Sequence, residues 1–405
     1  AAHRRDRLQD YASYVGDLKG GRDFPLVEFR SRHSAATEAV GYGKTMMGFH
    51  MLRRKMGDDR FRTWAAEFYR EQRGRVTSFS DVLHSMERAM GGNGGPDLAR
   101  FFRDWTERAG AAALAVEVSG VEPVADGFEV RGTLRQTQAG EPFALDVPMA
   151  FQAADAAAPA VVYELRLEAG AAPFALRVRE RPVLLQVDPE FDLFRRLDPR
   201  EIPASIGQIF GEPRLLAVVA AQASPEEREA WRKLLESWQS DAHRVELVTD
   251  AEVDLLPADR AVWLLGRANR LAPRYFGGGA VAGLEVDDEG VVIEGARVPF
   301  AGHATVAVAR HPASAGRAIG WITADPAQLA ALPGLGRKLP HYGKYSYLGF
   351  EGSEPTNVLK GQWAASDSPL RVDLRRAEER QAALPELVLA PRRALAELPA
   401  AAPPP

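Results

Sequence analysis

A multidomain α+β fold is what the sequence predicts, and three changes in its apolar spacing predict it. Up to about residue 109 apolar residues recur at three- and four-residue steps, as on one face of a helix. From Leu114 to about Val187 the period falls to two, the spacing of half-buried strands. After Pro213 a continuous apolar run is followed by a well-capped helix, the alternation expected of an α/β layer. The chain of 405 residues is too long for one ordinary core. The domains expected are a helical block over 1–110, a small antiparallel β-sandwich over 111–190, and an α/β domain over 191–385 entered by a linker at 191–213. A Pro- and Ala-rich tail over 386–405 completes the chain.

In the helical block, Arg4 to Tyr14 and Thr37 to Met56 carry the helical period. In the second of these the stripe runs Tyr42, Met46, Phe49, Leu52, Met56. Gly57-Asp58-Asp59 separates it from a helix striped by Phe61, Trp64, Ala65 and Phe68. Ser78 or Ser80 offers an N-cap for a helix to Met90, which the Gly-rich stretch 91–96 terminates. Asp97 caps a last helix bearing Leu98, Phe101, Phe102 and Trp105.

The strand region opens with a turn at Asp126-Gly127, and a hairpin is expected to turn at Ala139-Gly140. Phe143 to Phe151, Val161 to Leu167, Phe174 to Val178 and Val183 to Val187 supply further strands. In the α/β part, Leu215 to Ala220 reads as a buried parallel strand. Ser224-Pro225-Glu226-Glu227 combines an N-cap Ser with Pro at the first helical position. The helix runs to about Trp238. Arg244 to Val248, Ala261 to Leu265, Thr305 to Val308, Ile319 to Thr323 and Tyr345 to Phe350 are the remaining strands expected.

Composition narrows the function classes. Net charge is −4, which gives no general attraction to nucleic acid, and none is expected as a partner. No stretch approaches the ~20 apolar residues of a transmembrane helix. There is no cysteine, so thiolate catalysis and thiolate metal sites are excluded. An exported protein would be comfortable without reactive thiols, though this does not fix the compartment. The opening Ala1 to Asp6 has no apolar signal core, so a targeting segment is either lacking or lies upstream. The Ala, Arg and Gly bias is that of GC-rich bacterial genomes.

The informative segment is Ala39-Val40-Gly41-Tyr42-Gly43-Lys44-Thr45, followed by Met51-Leu52-Arg53 and Gly57-Asp58-Asp59-Arg60-Phe61. It resembles the Tyr-x-Lys-Gly motif and adjoining stretch of aminopeptidase N-type (gluzincin) zinc metallopeptidases. Phe79-Ser80-Asp81, Glu87, Gly95-Pro96-Asp97-Leu98, Phe101-Phe102, Trp105 and Gly110 are similar to that family's closing helices. Gln136-Thr137-Gln138, Pro142-Phe143 and Val147-Pro148 are similar to the β-sandwich after its catalytic domain. The likeness covers roughly residues 1 to 190 in colinear order. Thr45 departs from it, standing where the family normally has Gly.

The resemblance implies that residues 1–110 are the C-terminal part of a thermolysin-like catalytic domain acting on N-terminal residues of peptide substrates. In such enzymes a His-Glu-x-x-His helix and a later Glu hold zinc. The motif Tyr donates a hydrogen bond to the oxyanion, which places Tyr42 as the catalytic residue of this chain. On residue type alone, Tyr42 reads as a packing aromatic instead. The zinc helix itself is absent. None of the eight histidines precedes a Glu or has another His four residues away. The zinc ligands are therefore expected outside this chain, on an N-terminal zinc-bearing portion or subunit. The alternative is a non-catalytic scaffold or interaction subunit that retains the peptidase fold.

Other candidates carry less. His303, His311 and His341 read as structural histidines, and Gly266-Arg267-Ala268-Asn269 comes after a strand without phosphate-loop spacing. Asp287-Asp288-Glu289-Gly290 reads as a hairpin turn, with calcium a poorer second reading. Arg195-Arg196 and Arg392-Arg393 read as solvated surface. No Gly-x-Ser-x-Gly elbow occurs. The expected outcome for the purified chain is zinc well below one per molecule by atomic absorption, and no cleavage of aminoacyl-nitroanilides. Stoichiometric zinc would contradict the reading.

Overall fold

The structure is a computed structural model and describes residues 1–15, 23–91, 98–155, 158–241, 243–365, 367–381 and 384–392. The Gly-rich terminator from 92, the Asp97 cap, Arg393 and the end of the expected tail lie outside these residues. The chain is mixed α and β with several sheets, and it divides into two compact units. One comprises Ala1–Asp198 with Asp367–Pro405, the other Pro199–Ser366.

The first unit begins with helices. Helix α1 (Ala2–Tyr14) buries Leu8 and Tyr11. Helix α2 (Ala35–Glu38) starts in a capping box between Ser34 and Thr37. A π-helical segment, Ala39–Lys44, then joins it to α3 (Thr45–Met56). The expected stripe was Tyr42, Met46, Phe49, Leu52 and Met56, but the buried residues are Val40, Met47, Met51, Leu52 and Met56. The π segment adds a residue to one turn and so rotates the turn before it relative to α3. Tyr42 thereby leaves the apolar face.

Gly57 sits at φ 80° and turns the chain into α4 (Asp58–Gln72), where Trp64 is buried against Phe61 and Phe68. Ser78 caps α5 (Phe79–Ala89) by accepting from the Asp81 N–H. Helix α6 (Leu98–Phe102) passes into a second π segment, Arg103–Glu107.

Strands β1 (Leu114–Val124) and β2 (Gly127–Gln136) form an antiparallel hairpin. The next strands are β3 (Leu145–Ala153), β4 (Val161–Leu167), β5 (Ala171–Val178) and β6 (Pro182–Val187). The hairpin expected at Ala139-Gly140 does not form, because β2 and β3 belong to different sheets. One sheet has the order β1-β2-β5, and the other runs from the short strand Arg371–Asp373 through β6 and β3 to β4. The connection between β2 and β3 is held by Gln136, whose side chain binds both the N–H and the carbonyl of Phe143.

Two expected boundaries differ from the structure. The stretch 191–213 is no linker, since Leu193, Phe194, Leu197, Ile202, Ile206 and Ile209 are all buried. Residues from 367 return to the first unit rather than closing the α/β domain. There Leu374 donates to the Val183 carbonyl, and Val388 binds Gln152 and Ala160.

The second unit contains α7 (Ile206–Phe210), β7 (Arg214–Val219), α8 (Pro225–Glu236), β8 (Arg244–Thr249), β9 (Ala261–Leu265) and α9 (Ala272–Phe276). Short strands β10 (Leu284–Val286), β11 (Gly290–Ile293) and β12 (Ala296–Pro299) form a small antiparallel sheet. Strands β13 (His303–His311) and β14 (Ser314–Ala324), helix α10 (Leu332–Lys338) and strands β15 (Tyr347–Glu351) and β16 (Thr356–Gly361) come next. The last strand among the described residues, Arg371–Asp373 in the first unit, is β17.

The main sheet of this unit has the order β16-β15-β13-β14-β9-β7-β8. Its β14-β9-β7-β8 portion is parallel and the remainder antiparallel. Both faces are covered, one by α7, α8 and α10 around Trp231 and Trp263, the other around Phe276, Ile293 and Trp321. That is why β7 and β9 read as unbroken apolar runs.

Gly320 on β14 pairs with Trp263 on β9. A Cβ there would lie 2.0 Å from the indole and 2.7 Å from Ile209 Cδ1. Gly320→Ala should lower stability by about 1–3 kcal/mol through overpacking, read as a lower urea midpoint. An unchanged midpoint would show that the indole does not lie there.

Candidate functional site

Tyr42 lies in the π segment and is 57% exposed. Its ring meets Phe29 edge-on, with centroids 5.7 Å apart and planes at 78°. Gly41 makes that contact possible, since a Cβ at this position would come within 2.2 Å of the Phe29 ring. Among the described residues the structure shows no hydrogen bond to the Tyr42 hydroxyl, so the phenol is available as a donor.

Two residues on, Lys44 is 1% exposed. Its ammonium donates to the carbonyls of Arg108 (2.6 Å) and Gly110 (3.4 Å) and lies over the Phe194 ring. Burial lowers its pKa to about 8, against the opposing pull of Asp23. Asp23 in turn accepts from the Tyr11 hydroxyl (2.6 Å) and the Gly110 N–H. Burial and the Asp23 charge both push the Tyr11 phenol up. Lys44 therefore anchors the end of the π segment to the chain just before β1. Thr45 donates to the Gly41 carbonyl at 2.7 Å and so satisfies a carbonyl inside the irregular turn.

Sequence reasoning singled out Tyr42 but neither its Phe29 flank nor the Lys44–Asp23–Tyr11 network. Lys44 carried a readable signal: it falls four residues after Val40 and three before Met47, in the buried stripe.

A second cluster surrounds Asp192, which accepts from His50 (2.9 Å) and pairs with Arg4 (3.2 Å) and Arg392 (2.7 Å). Burial alone would raise its carboxyl, but His50 and the arginines hold it well below the usual range. Burial lowers His50, with Asp192 pulling the other way. Arg392 lies at the solvated surface as expected and reaches Asp192 from there. Arg195, expected there too, is instead buried against Asp188 at 2.7 Å, drawn inward by that carboxylate.

The remaining candidates are structural. His303 bonds the Ala301 carbonyl, and His311 accepts from the Ala313 N–H. Beyond the carboxyl ends of β7, β8 and β9, where α/β folds bind ligands, Asp250 accepts from Ala221 and Arg270 N–H groups, and Asn269 donates to the Val218 carbonyl. Protein groups fill those positions. Asp287 accepts from the Glu289 and Gly290 N–H groups and pairs with Arg297, as a turn residue does. Among the described residues, no group of three or more His, Cys, Asp or Glu side chains converges where a cation would be held. No helix among them is long and apolar enough to cross a membrane.

No protein-family model matches the sequence, and no curated protein does. Among solved structures the chain is similar to Legionella pneumophila aminopeptidase A in complex with aspartic acid, at 18% identity and a TM-score of 0.33. The match covers 46% of this chain and 21% of that one, so the chain spans well under two thirds of that structure's length.

The buried amine sets a pH dependence. Lys44 titrates near 8 when folded and near 10.5 when exposed. Between these values the unfolded chain binds the additional proton, so stability rises with pH. From about pH 7.5 to about pH 9.5 the gain is roughly 2 kcal/mol. Lys44→Met should remove that rise from urea denaturation midpoints. An unchanged pH slope in the variant would show that the amine is solvated.

Proposed function

We propose that this chain is the C-terminal portion or subunit of a zinc-dependent aminopeptidase, acting on N-terminal residues of peptides, with Tyr42 as its oxyanion donor. In this reading residues 1–110 belong to a thermolysin-like catalytic domain, and the two antiparallel sheets after it are its β-sandwich. The observation that carries the reading is the exposed Tyr42 phenol on a π segment whose other end is tied down by Lys44. Segments of this kind occur often at functional sites, where the extra residue re-aims a side chain. An aromatic needed only for packing would be expected on the buried face with Met47 and Met51.

The described residues do not fit a zinc site. Asp192 touches a histidine, but two arginines occupy the same carboxylate. Zinc ligands are accordingly assigned to residues outside this chain, and only the step at Tyr42 is derived. As charge develops on the carbonyl oxygen of a scissile peptide bond, the neutral phenol donates its proton into a hydrogen bond without transferring it. Phe29 restricts the ring to an edge-on position, so little reorganisation is needed at that moment.

Tyr42→Phe, made in the upstream-extended gene product, tests this. Turnover of aminoacyl-nitroanilides should fall by about 10²–10³, or roughly 2–4 kcal/mol in barrier, with KM little changed. Because the phenol is exposed, the unfolding free energy from urea titration should change by less than about 0.5 kcal/mol. Full turnover in the variant would remove Tyr42 from the chemistry. An extended protein with neither zinc nor activity would instead identify a non-catalytic scaffold.

A further inference from the structure

In the second unit, β13 and β14 end in a hairpin tip where the ladder breaks. The register shifts between Arg310 and His311, and His311 pairs with Ser314. Past that pair, Pro312 and Ala313 are exposed, and a Cβ added at Gly316 would meet nothing within 4 Å. His311 itself, at the inner end of this open tip, is only 3% exposed.

Its hydrogen bonding selects one protonation state. The Ala313 N–H donates to His311 Nδ1 at 3.1 Å, so Nδ1 presents its lone pair and the ring proton sits on Nε2. Nε2 is buried with no hydrogen-bond partner among the described residues. A second proton can enter only at Nδ1, where it displaces the Ala313 N–H. Nearby charge offers no relief. Arg317 on β14 opposes a charged ring, and its own partner is Glu212 at 3.6 Å. Arg310, next in sequence, is engaged by the Ile202 and Ala315 carbonyls. From the segment between β8 and β9, the Leu256 backbone reaches the ring. Burial, aided by Arg317 and opposed by Leu256, lowers the His311 pKa.

We propose that His311 is an acid-sensitive latch that holds the β13–β14 hairpin tip closed while neutral and lets it open when protonated. Opening is local, because the ladder from Ala304 to Arg310 continues below the tip and its side chains reach the sealed core. With the latch open the ring is solvated and titrates near the ordinary 6.5, whereas the closed form titrates lower. The closed form is therefore fully favoured above 6.5. As pH falls below that value it loses ground by up to about tenfold per pH unit, until the closed-state value is passed. The latch uses neither Tyr42 nor zinc, so it stands apart from the peptidase reading.

Amide hydrogen exchange at Ala313, corrected for the intrinsic effect of pH, reads the latch directly. Protection should be about three- to tenfold lower at about pH 5.5 than at about pH 7.5, following the His311 ring titration seen by NMR. The Ile319 and Trp321 amides, deeper in β14, should stay protected. His311→Asn supplies an amide oxygen that accepts but does not titrate, so Ala313 should keep its protection at both pH values. His311→Leu has no acceptor and should leave Ala313 unprotected at both. The unaltered protein decides the matter should either variant fail to fold. Equal corrected protection at the two pH values, a His311 titration at or above 6.5, or an undiminished pH effect in His311→Asn would each overturn the proposal.

Discussion

The first unit is organised around one buried ion pair. Asp188 accepts from the Arg195 guanidinium at 2.7 Å through one oxygen, and from the Asp192 and Leu193 N–H groups through the other. The pair closes the loop after β6, and the loop then reaches in several directions. Asp188 N–H bonds the Pro148 carbonyl on β3, Arg196 N–H bonds the Ala112 carbonyl before β1, and Phe194 N–H points at the Met51 sulfur on α3. Asp192 collects Arg4 from the first helix and Arg392 from the far end of the described chain. Burial pushes the Asp188 carboxyl up to about 6, with Arg195 opposing. Such a pair adds little net stability by itself, but either charge left alone would be costly. It therefore acts as a constraint on geometry. The backbone accepts strain for it, since Asp188 and Phe191 both have positive φ and Phe191 has no side-chain means of easing that conformation.

Loop placement by that pair bears directly on the candidate site. Phe194 underlies the Lys44 ammonium, and Lys44 ends the π segment carrying Tyr42. One extra residue in a helical turn turns Tyr42 outward while Val40, Lys44 and Met47 stay inside. The burial cost of the lysine is met by backbone carbonyls and Asp23 rather than by a directly paired carboxylate, which leaves its pKa depressed. In the second unit apolar packing is the governing force. Trp263 lies across Gly320 and beside Trp238, and both faces of the sheet are sealed.

Much of the chain was legible from local chemistry. The Ser78 and Ser224 caps, the Gly57 break, the Asp126-Gly127 turn, the turn at 287–290 and the buried runs of β7 and β9 rest on interactions within a few residues. Such interactions are written in neighbouring side chains, so periodicity and turn residues report them. Tyr42 was singled out through its motif alone, and its role remains the proposal made for it.

Other features depended on partners far away in sequence. A two-residue period fixes which side chains share a face but not which strand is the neighbour, so β2 and β3 read as a hairpin although they lie in different sheets. Helical spacing assumes uniform turns, so the π segment and the outward rotation of Tyr42 escaped it. Arg195 carries charge and reads as surface, because its sequence neighbourhood does not announce the carboxylate that draws it in. By itself the sequence determined the helix caps, the turns, the apolar runs and the order of α and β regions, since these arise from contacts a few residues apart. Tertiary structure alone decided strand partnership, the burial of Lys44 and Arg195, and the exposure of Tyr42, because a charge or a ring is placed by whatever the rest of the chain brings against it.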